Sequence, residues 1–391
     1  MTDSGDMQDW QNGGFGLYIH WPFCQAKCPY CDFNSHVSRK IDQDQWLTAY
    51  LSEIDRVKIL TGERALSTVF FGGGTPSLMN PDVVHKILGR VRQTWPCAND
   101  LEVTLEANPS SVESGRFHGY SQAGVSRISM GIQALNDADL KKLGRLHTVK
   151  EAQDAFDVAR GVFERVSFDL IYARQNQSLA DWKTELQIAL NMAIDHVSLY
   201  QLTVEDGTAF GDRHARGRLR GLPTDDLSAD MYNLTAELSS VAGFDAYEIS
   251  NHARPGAESR HNLIYWRYGD YAGIGPGAHG RLTSGGTRYA TEAKRAPELW
   301  LAAVHTGQAE LGRVIITLQD QADEYLMMGL RLHDGIDLAR YQSLSGASLN
   351  AGVLNHLEDI KMIERTQNKL RATNSGRLVL NAILKELLVG T

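Results

Sequence analysis

The chain has 391 residues, of which 42% are hydrophobic and 22% are charged, and its formal net charge is −8. These values are ordinary for a soluble globular protein with two domains or one large barrel. The acidic balance argues against a general role in nucleic-acid binding, which usually requires a basic surface. No stretch approaches the about 18 apolar residues of a membrane span, and the N-terminus lacks the basic and apolar regions of a signal peptide. Residues 1–14 are polar and acidic and are predicted to be disordered.

Apolar, strand-like runs alternate with amphipathic helical patterns from residue 16 onward. Predicted helices include Asp42–Leu60, Asp82–Trp95 and Asp181–Ile194, where apolar residues recur with the period of an α-helix. The predicted strands are Gly16–Trp21, Ser67–Gly72, Leu101–Ala107, Arg127–Gln133, Val166–Tyr172 and His196–Leu202. This alternation predicts an α/β fold with a parallel sheet, wound as a barrel or left open. In such folds the chemistry lies at the carboxyl ends of the strands.

A second region is predicted to begin near residue 225, so that a barrel spans residues 15–224 and a C-terminal domain spans residues 225–391. It opens with a predicted helix at Asp225–Ala242. The Gly- and aromatic-rich stretch HNLIYWRYGDYAGIGPGAHG is expected to form loops packed on the barrel. Residues 319–391 are predicted to be mostly helical, with a turn-centred hairpin in KLRATNSGRLVLN whose tip is Asn374-Ser375-Gly376. This hairpin resembles the wing of a winged-helix module, and on an acidic chain we interpret it as a packing element.

Three of the four cysteines follow the first predicted strand. Cys24, Cys28 and Cys31 have a C-x3-C-x2-C spacing, and only Cys97 lies elsewhere. Three thiolates lack the fourth ligand of a closed structural zinc site, but they suit a [4Fe–4S] cluster with one open iron. Zinc binding or chance proximity is the alternative interpretation. A thiolate-ligated cluster requires a reducing compartment, which favours a cytoplasmic location.

The cysteine spacing resembles the signature of radical S-adenosylmethionine (SAM) proteins. The resemblance implies that SAM chelates the open iron through its amino and carboxylate groups. It also implies that an electron from the cluster splits the sulfonium to give a 5′-deoxyadenosyl radical. The other candidate contacts follow the ends of later predicted strands, in the motifs GGGTP, LEANP, SMGIQ, LGRLH and SFDLIY. Each of these motifs alone has an ordinary structural explanation, such as a tight turn or a surface charge.

Taken together, the motifs of this chain resemble those of the HemW heme chaperones. The motifs concerned are YIHWPFC, GGGTPS, EANP, GVSRISMGIQ, LGRLH, FDLIY, YEISN, HNLIYW and GIGPGAHG. That family belongs to the oxygen-independent coproporphyrinogen III oxidase-like branch of radical SAM proteins. The resemblance implies a partial (β/α)6 barrel with a mostly helical C-terminal domain. It implies SAM contacts from Tyr18, Gly73, Gly74, Thr75, Glu106, Gln133, Arg145 and Asp169, with Tyr30 near the adenine. The segments after Tyr172 and in VEDGTAF depart from the family pattern, so the pocket floor there is expected to differ.

The resemblance leaves two functions open. The oxidases carry a further cysteine where this chain has Phe33, and they have a longer segment before the cluster. Both differences favour a chaperone that binds heme and passes it to acceptor proteins, such as respiratory enzymes or bacterioferritin, with at most peripheral membrane contact. A radical SAM oxidase of a tetrapyrrole is the alternative.

The heme contacts implied by the resemblance are those of the HNLIYW motif, namely His261, Tyr265 and Trp266. His261 is alternatively a hydrogen-bonded structural histidine, and His252 and His279 are competing heme ligands.

Overall fold

The computed structural model describes residues 8–38, 40–109, 114–366 and 368–389. Within these ranges the strands are β1 (Phe15–Trp21), β2 (Phe23–Cys24), β3 (His36–Val37), β4 (Leu66–Gly73), β5 (Cys97–Ala107), β6 (Arg127–Gln133), β7 (Arg165–Tyr172), β8 (His196–Gln201), β9 (Asp245–Ala246), β10 (Asn251–Ala253), β11 (Asp270–Ile274), β12 (His279–Ser284), β13 (Thr287–Ala293), β14 (Glu310–Ile315), β15 (Ile336–Asp337), β16 (Ile363–Thr366) and β17 (Lys369–Ala372).

The α-helices in the same ranges are α1 (Gln43–Thr61), α2 (Pro81–Thr94), α3 (Ser114–Ala123), α4 (Asp137–Lys142), α5 (Val149–Val162), α6 (Leu179–Met192), α7 (Ala209–Ala215), α8 (Asp225–Val241), α9 (Arg260–Trp266), α10 (Pro297–Val304), α11 (Leu318–Gly329), α12 (Leu338–Ser345), α13 (Ala351–Asp359), α14 (Asn374–Leu378) and α15 (Leu380–Val389). None of these helices is both long enough and apolar enough to cross a membrane.

One large sheet organises most of the chain. Its strand order is β14-β13-β12-β11-β1-β4-β5-β6-β7-β8-β10-β9, with two separate ends. The six predicted strands correspond to β1, β4, β5, β6, β7 and β8, which pair in parallel in this order. The structure therefore confirms an α/β fold with an open parallel barrel, to which β11 adds a further parallel strand beside β1.

The two faces of the sheet differ in chemistry. Leu17, Ile19 and Trp21 of β1 are buried in the main hydrophobic core, which also contains residues of the surrounding helices. Because successive side chains point to opposite faces of a strand, Tyr18 and His20 of β1 face the inside of the barrel. The tyrosine hydroxyl and His20 Nδ1 are 3.1 Å apart. Burial of the apolar face holds the helices on the outside and leaves a polar interior for a ligand.

The chain does not divide at residues 224 and 225. Strands β9–β14 extend the main sheet, so this part of the predicted C-terminal domain belongs to the barrel. A second hydrophobic core runs from Ala322 to Leu387 and includes the small sheet β15-β17-β16.

The prediction of disorder is wrong for residues 8–14, which include a short 3-10 helix at Asp9–Asn12. The Asp9 carboxylate accepts a hydrogen bond of 2.7 Å from Arg340 Nε of the C-terminal region. Residues 1–7 lie outside the described residues.

Two local predictions in the C-terminal half are also wrong. The stretch from His261 to Gly280 was expected to form loops, but it contains α9, β11 and the start of β12. The hairpin pairs β16 with β17, so Asn374 is not at its tip. Instead, Asn374 begins α14, because the Thr373 hydroxyl accepts the Gly376 N–H and caps the helix.

Candidate functional site

A pocket opens at the carboxyl ends of β1, β4, β5, β6 and β7. It brings together residues that lie as much as 145 positions apart, from Cys24 to Asp169. Every residue predicted to bind the cluster or SAM lines it except Tyr18, namely Cys24, Cys28, Tyr30, Cys31, Gly73, Gly74, Thr75, Glu106, Gln133, Arg145 and Asp169.

The cysteine loop is fixed to the glycine-rich turn after β4. The N–H groups of Gly74 and Thr75 donate to the backbone oxygens of Trp21 and Phe23 at 2.6 and 2.8 Å. The Thr75 hydroxyl also donates to Cys24 Sγ at 3.5 Å. A side chain at Gly74 would meet the Phe23 backbone at 2.6 Å, so only glycine allows this approach. The turn therefore positions the first cysteine through both its backbone and a side chain.

Each of the three thiols has its own polar neighbour. Arg145 Nη1 lies 3.5 Å from Cys28 Sγ, and the Ser35 hydroxyl lies 3.9 Å from Cys31 Sγ. Burial raises the pKa of the Cys24 and Cys31 thiols. Both thiols are consequently protonated at neutral pH until a cation replaces the proton.

The donor set fits an iron–sulfur cluster better than a single ion. In the described part of the chain, no three His, Cys, Asp or Glu side chains are placed to hold one metal ion. A [4Fe–4S] cluster binds each thiolate to a different iron, so its three cysteines need only surround a common cavity. Cys97 lies at the start of β5, outside the pocket, and its thiol donates to the Trp95 backbone oxygen at 3.5 Å.

Two carboxyl groups that line the pocket, those of Glu106 and Asp169, have raised pKa values. Glu106 accepts a hydrogen bond of 3.1 Å from the Gly73 N–H, and burial together with the Asp169 charge raises the pKa of Glu106 to about 8. Burial also raises the pKa of Asp169, to about 6. Glu106 is thus mostly protonated at neutral pH, and a bound cation or hydrogen-bond donor would favour its ionised form.

Arg145 provides a cation at the opposite wall. Its Nη2 donates to the Gly131 backbone oxygen at 2.6 Å. Its Nε is buried without a hydrogen-bond partner among the described residues. A buried N–H of a guanidinium is costly to leave unpaired, so this wall is suited to an anionic group such as a carboxylate.

Sequence reasoning missed Ser129 and Gly131 of β6, which also line the pocket. A hydrogen-bonded chain connects Arg127 to Ser167 at 2.9 Å, Ser167 to Ser129 at 3.0 Å, and Ser129 to Asp169 at 3.5 Å. This chain holds the Asp169 carboxylate in place. The available signal was the alternation of small or polar residues with apolar ones along β6 and β7, which marks their interior face.

Tyr18 lies beside the pocket rather than in its lining. Its ring is close to Gly72, where an added side chain would approach it to 2.9 Å, and its hydroxyl is directed to His20. His20 Nε2 lies 2.9 Å from the Asn34 backbone oxygen, just beyond the third cysteine. Tyr18 is therefore placed to orient the cysteine loop through His20.

The HNLIYW motif forms α9, inside the barrel and near the start of β5. The His261 and Arg260 N–H groups donate to the Glu102 carboxylate at 3.2 and 3.3 Å. The two ring nitrogens of His261 lie 2.7 Å from the hydroxyls of Thr68 and Tyr265. Burial lowers the pKa of His261 to about 3. These contacts fit the alternative interpretation, in which His261 is a hydrogen-bonded structural histidine. Tyr265 supports the His261 ring in this position through its hydroxyl.

The remaining candidates for heme contact differ in exposure. Trp266 is half-buried, and it borders a separate groove that also contains Arg340. His252 is buried in β10, and burial lowers its pKa to about 4. The His279 imidazole is 58% exposed, with Glu292 Oε1 at 4.0 Å. Of the three predicted histidine ligands, His279 alone presents its ring to solvent.

Comparison with known proteins gives consistent results. The sequence matches the Radical SAM superfamily over residues 18–187 and the HemN C-terminal domain over residues 316–379. It is 43% identical to the heme chaperone HemW of Escherichia coli, over 68% of this chain and 70% of that protein. It is 35% identical to the HemW of Haemophilus influenzae, over 94% of this chain and 96% of that protein.

A mitochondrial relative and a solved structure extend the comparison. Radical S-adenosyl methionine domain-containing protein 1 of Bos taurus is 38% identical over 95% of this chain and 87% of that protein. The structure of the coproporphyrinogen III oxidase HemN from Escherichia coli superposes with a TM-score of 0.80 at 21% identity, covering 98% of this chain and 94% of that one. At this identity, the likeness to HemN concerns the fold.

Proposed function

Because this chain belongs to the HemW family of radical SAM proteins, we propose that it is a heme chaperone that binds heme and passes it to acceptor proteins. The proposal includes a [4Fe–4S] cluster on Cys24, Cys28 and Cys31, with exchangeable SAM at the open iron. The heme part is supported by the bacterial relatives, which are named heme chaperones. The pocket supports the cofactor part, because it joins the three thiols to two carboxylates and to a guanidinium whose Nε–H has no hydrogen-bond partner among the described residues.

Each wall of the pocket has a proposed task in binding SAM. Arg145 pairs with the SAM carboxylate through its unpartnered Nε–H. Glu106 accepts hydrogen bonds from the amino group. The Gly73 N–H already donates to one oxygen of Glu106 and so holds the carboxylate in place. Asp169, held by Ser129, accepts from a ribose hydroxyl. When bound, the cluster supplies the electron that radical SAM chemistry requires.

Three further residues complete the proposed SAM site. Gln133 ends β6 with a positive φ of 74°, which is uncommon for a residue with a side chain, and it lines the pocket, where it is assigned to the ribose. Tyr30 contacts Phe210 of α7, with their ring centroids 6.5 Å apart, and is assigned to the adenine. Thr75 keeps its hydroxyl on Cys24. The altered segment around Phe210 thus supports the cysteine loop.

The observation that carries this proposal is the convergence of eleven predicted residues in one pocket. The test uses anaerobically reconstituted protein with SAM, a reductant and hemin. We expect stoichiometric heme binding by absorbance, and transfer of unchanged heme to an apo-acceptor protein such as an apo-bacterioferritin. Failure of the reconstituted protein to bind heme would contradict the chaperone function.

A tetrapyrrole oxidase is the second candidate, favoured by the fold likeness to HemN. Phe33 stands against it, because the oxidases have a cysteine at that position. The same reaction with coproporphyrinogen III in place of hemin distinguishes the two functions. We expect no decarboxylated product by chromatography, whereas formation of protoporphyrinogen would establish the oxidase. A cytoplasmic location follows from the reducing conditions that the cluster requires.

A further inference from the structure

Two of the exposed histidines of this chain lie in segments next to the cysteine loop, near the mouth of its pocket. His36 lies in β3, an exposed strand five residues after Cys31, and His279 begins β12 with 58% of its imidazole exposed. A porphyrin is too large to reach a fully buried imidazole without opening the fold. The accessible rings at this mouth therefore offer iron ligation that His261 and His252 do not offer in this conformation.

Asn34 connects the two histidines. Its side-chain Nδ2 donates to the Pro276 backbone oxygen at 2.9 Å, three residues before His279. Its Oδ1 lies 3.2 Å from His36 Nε2. When His36 Nε2 donates this hydrogen bond, its Nδ1 keeps a lone pair for a metal. Both histidines lie near His20, whose pKa is lowered mainly by burial and to a smaller extent by charge on His36 and on His279.

Apolar and cationic side chains surround these rings. Phe33 is 59% exposed and Val37 is 54% exposed, so both offer apolar surface beside the cofactor pocket. The Arg295 backbone oxygen accepts a hydrogen bond of 2.8 Å from Asn34 Nδ2. Arg295 and the adjacent Lys294 therefore border the segment that follows the cluster cysteines. Lys294 is half-buried and Arg295 is exposed. We name the set Phe33, His36, Val37, His279, Lys294 and Arg295 the loop patch.

We propose that a metalloporphyrin docks on the loop patch, with its iron coordinated by an imidazole of the patch. The macrocycle covers the exposed aromatic and aliphatic side chains, and the propionates pair with the two cations. This inference rests on the proposed function, and it names the place where heme is held. The chemistry matches the ligand: imidazole suits heme iron, and a guanidinium fork suits a carboxylate.

An open patch also fits transfer of the ligand. A porphyrin on this surface keeps its outer face in solvent, where an acceptor protein can supply the opposite axial ligand before the donor imidazole dissociates. The Glu292 carboxylate lies beside the His279 ring, with Oε1 4.0 Å from Nε2. A deeply enclosed site would instead require the fold to open at each transfer.

The first test is a hemin titration of the full chain, followed by absorbance, for His36→Ala, His279→Ala and the double variant. His85→Ala is the matched control, because His85 is an exposed histidine on α2, outside the patch. We expect the double variant to bind at least about tenfold more weakly and to lose the spectrum of imidazole-ligated heme. The control should match the unmodified protein. Iron content and thermal unfolding verify that the variants keep their cluster and fold.

The second test uses the dimethyl ester of heme, which lacks the propionate charges. We expect the ester to bind the unmodified protein more weakly than heme does. Arg295→Ala should weaken heme binding but leave binding of the ester unchanged. Equal losses for both ligands would show that Arg295 does not pair with a propionate and would overturn that part of the proposal.

The outcomes separate this inference from the proposed function. If the unmodified protein binds no heme, both fail. If it binds heme and the double histidine variant keeps the same affinity and spectrum, the loop patch is not the site, while heme transfer stands.

Discussion

The altered acidity of Glu106 makes SAM binding dependent on pH. Its pKa of about 8 means that the carboxyl group is mostly protonated at pH 7 in the absence of ligand. Hydrogen bonds from the SAM amino group require the ionised form, so affinity should increase as pH increases toward 8. Between pH 6.5 and 7.5 the ionised fraction grows about eightfold, and the dissociation constant should fall by a similar factor.

The assay is equilibrium binding of SAM to the reconstituted protein at several pH values, for the unmodified chain and Glu106→Gln. The variant cannot ionise, so we expect its affinity to be weaker by about tenfold at pH 8 and nearly independent of pH between 6.5 and 7.5. Asp169→Asn tests the origin of the shift: because the Asp169 charge adds to burial in raising the pKa of Glu106, the rise in affinity should move to lower pH in this variant. Equal pH dependence in the unmodified chain and Glu106→Gln would refute the reasoning.

Three further results are expected. Arg145→Lys removes the guanidinium fork, so SAM should bind about tenfold more weakly by equilibrium dialysis while iron content is unchanged; a parallel loss of iron would contradict a role confined to SAM. Arg174→Met breaks a buried pair with Glu185 at 2.6 Å, and denaturant unfolding should show a stability loss of about 3–5 kcal/mol. Cys31→Ala should lose the cluster, whereas Cys97→Ala should retain it; equal iron content in the two would contradict the assignment.

The six parallel strands could be predicted because each is a local apolar run with clear boundaries. Strand β11 could not, since it begins with a charged residue, Asp270, and contains a glycine. Asp270 is fully buried, and its carboxylate pairs with Arg64 at 2.5 Å and Arg288 at 3.4 Å. These partners are distant in sequence. Local propensity therefore predicts a loop, and long-range ion pairs make a strand favourable instead.

Residues of the candidate site could be predicted where the sequence pattern is local or where a residue lies at the end of a predicted strand. The cysteine spacing is contained in eight residues, and Glu106 lies at the end of the predicted strand Leu101–Ala107. His261 was different, because its ring contact, Thr68, is 193 residues away. A histidine beside aromatic residues has the same local pattern whether it binds a ligand or fills a barrel. Only the packing of α9 against β4 and β11 distinguishes the two.

The loop patch and the cluster pocket share the segment after Cys31. Phe33 borders both, and Ser35 lies 3.9 Å from Cys31 Sγ. Asn34 joins the segment to the strands that carry His279. A ligand that orders this segment at one site must change the free energy of binding at the other, and the coupling is reciprocal. If heme docks on the patch, SAM exchange or cluster loss can therefore set heme affinity without cleavage of any bond. The radical SAM pocket then regulates heme affinity in a protein that leaves its porphyrin chemically unchanged.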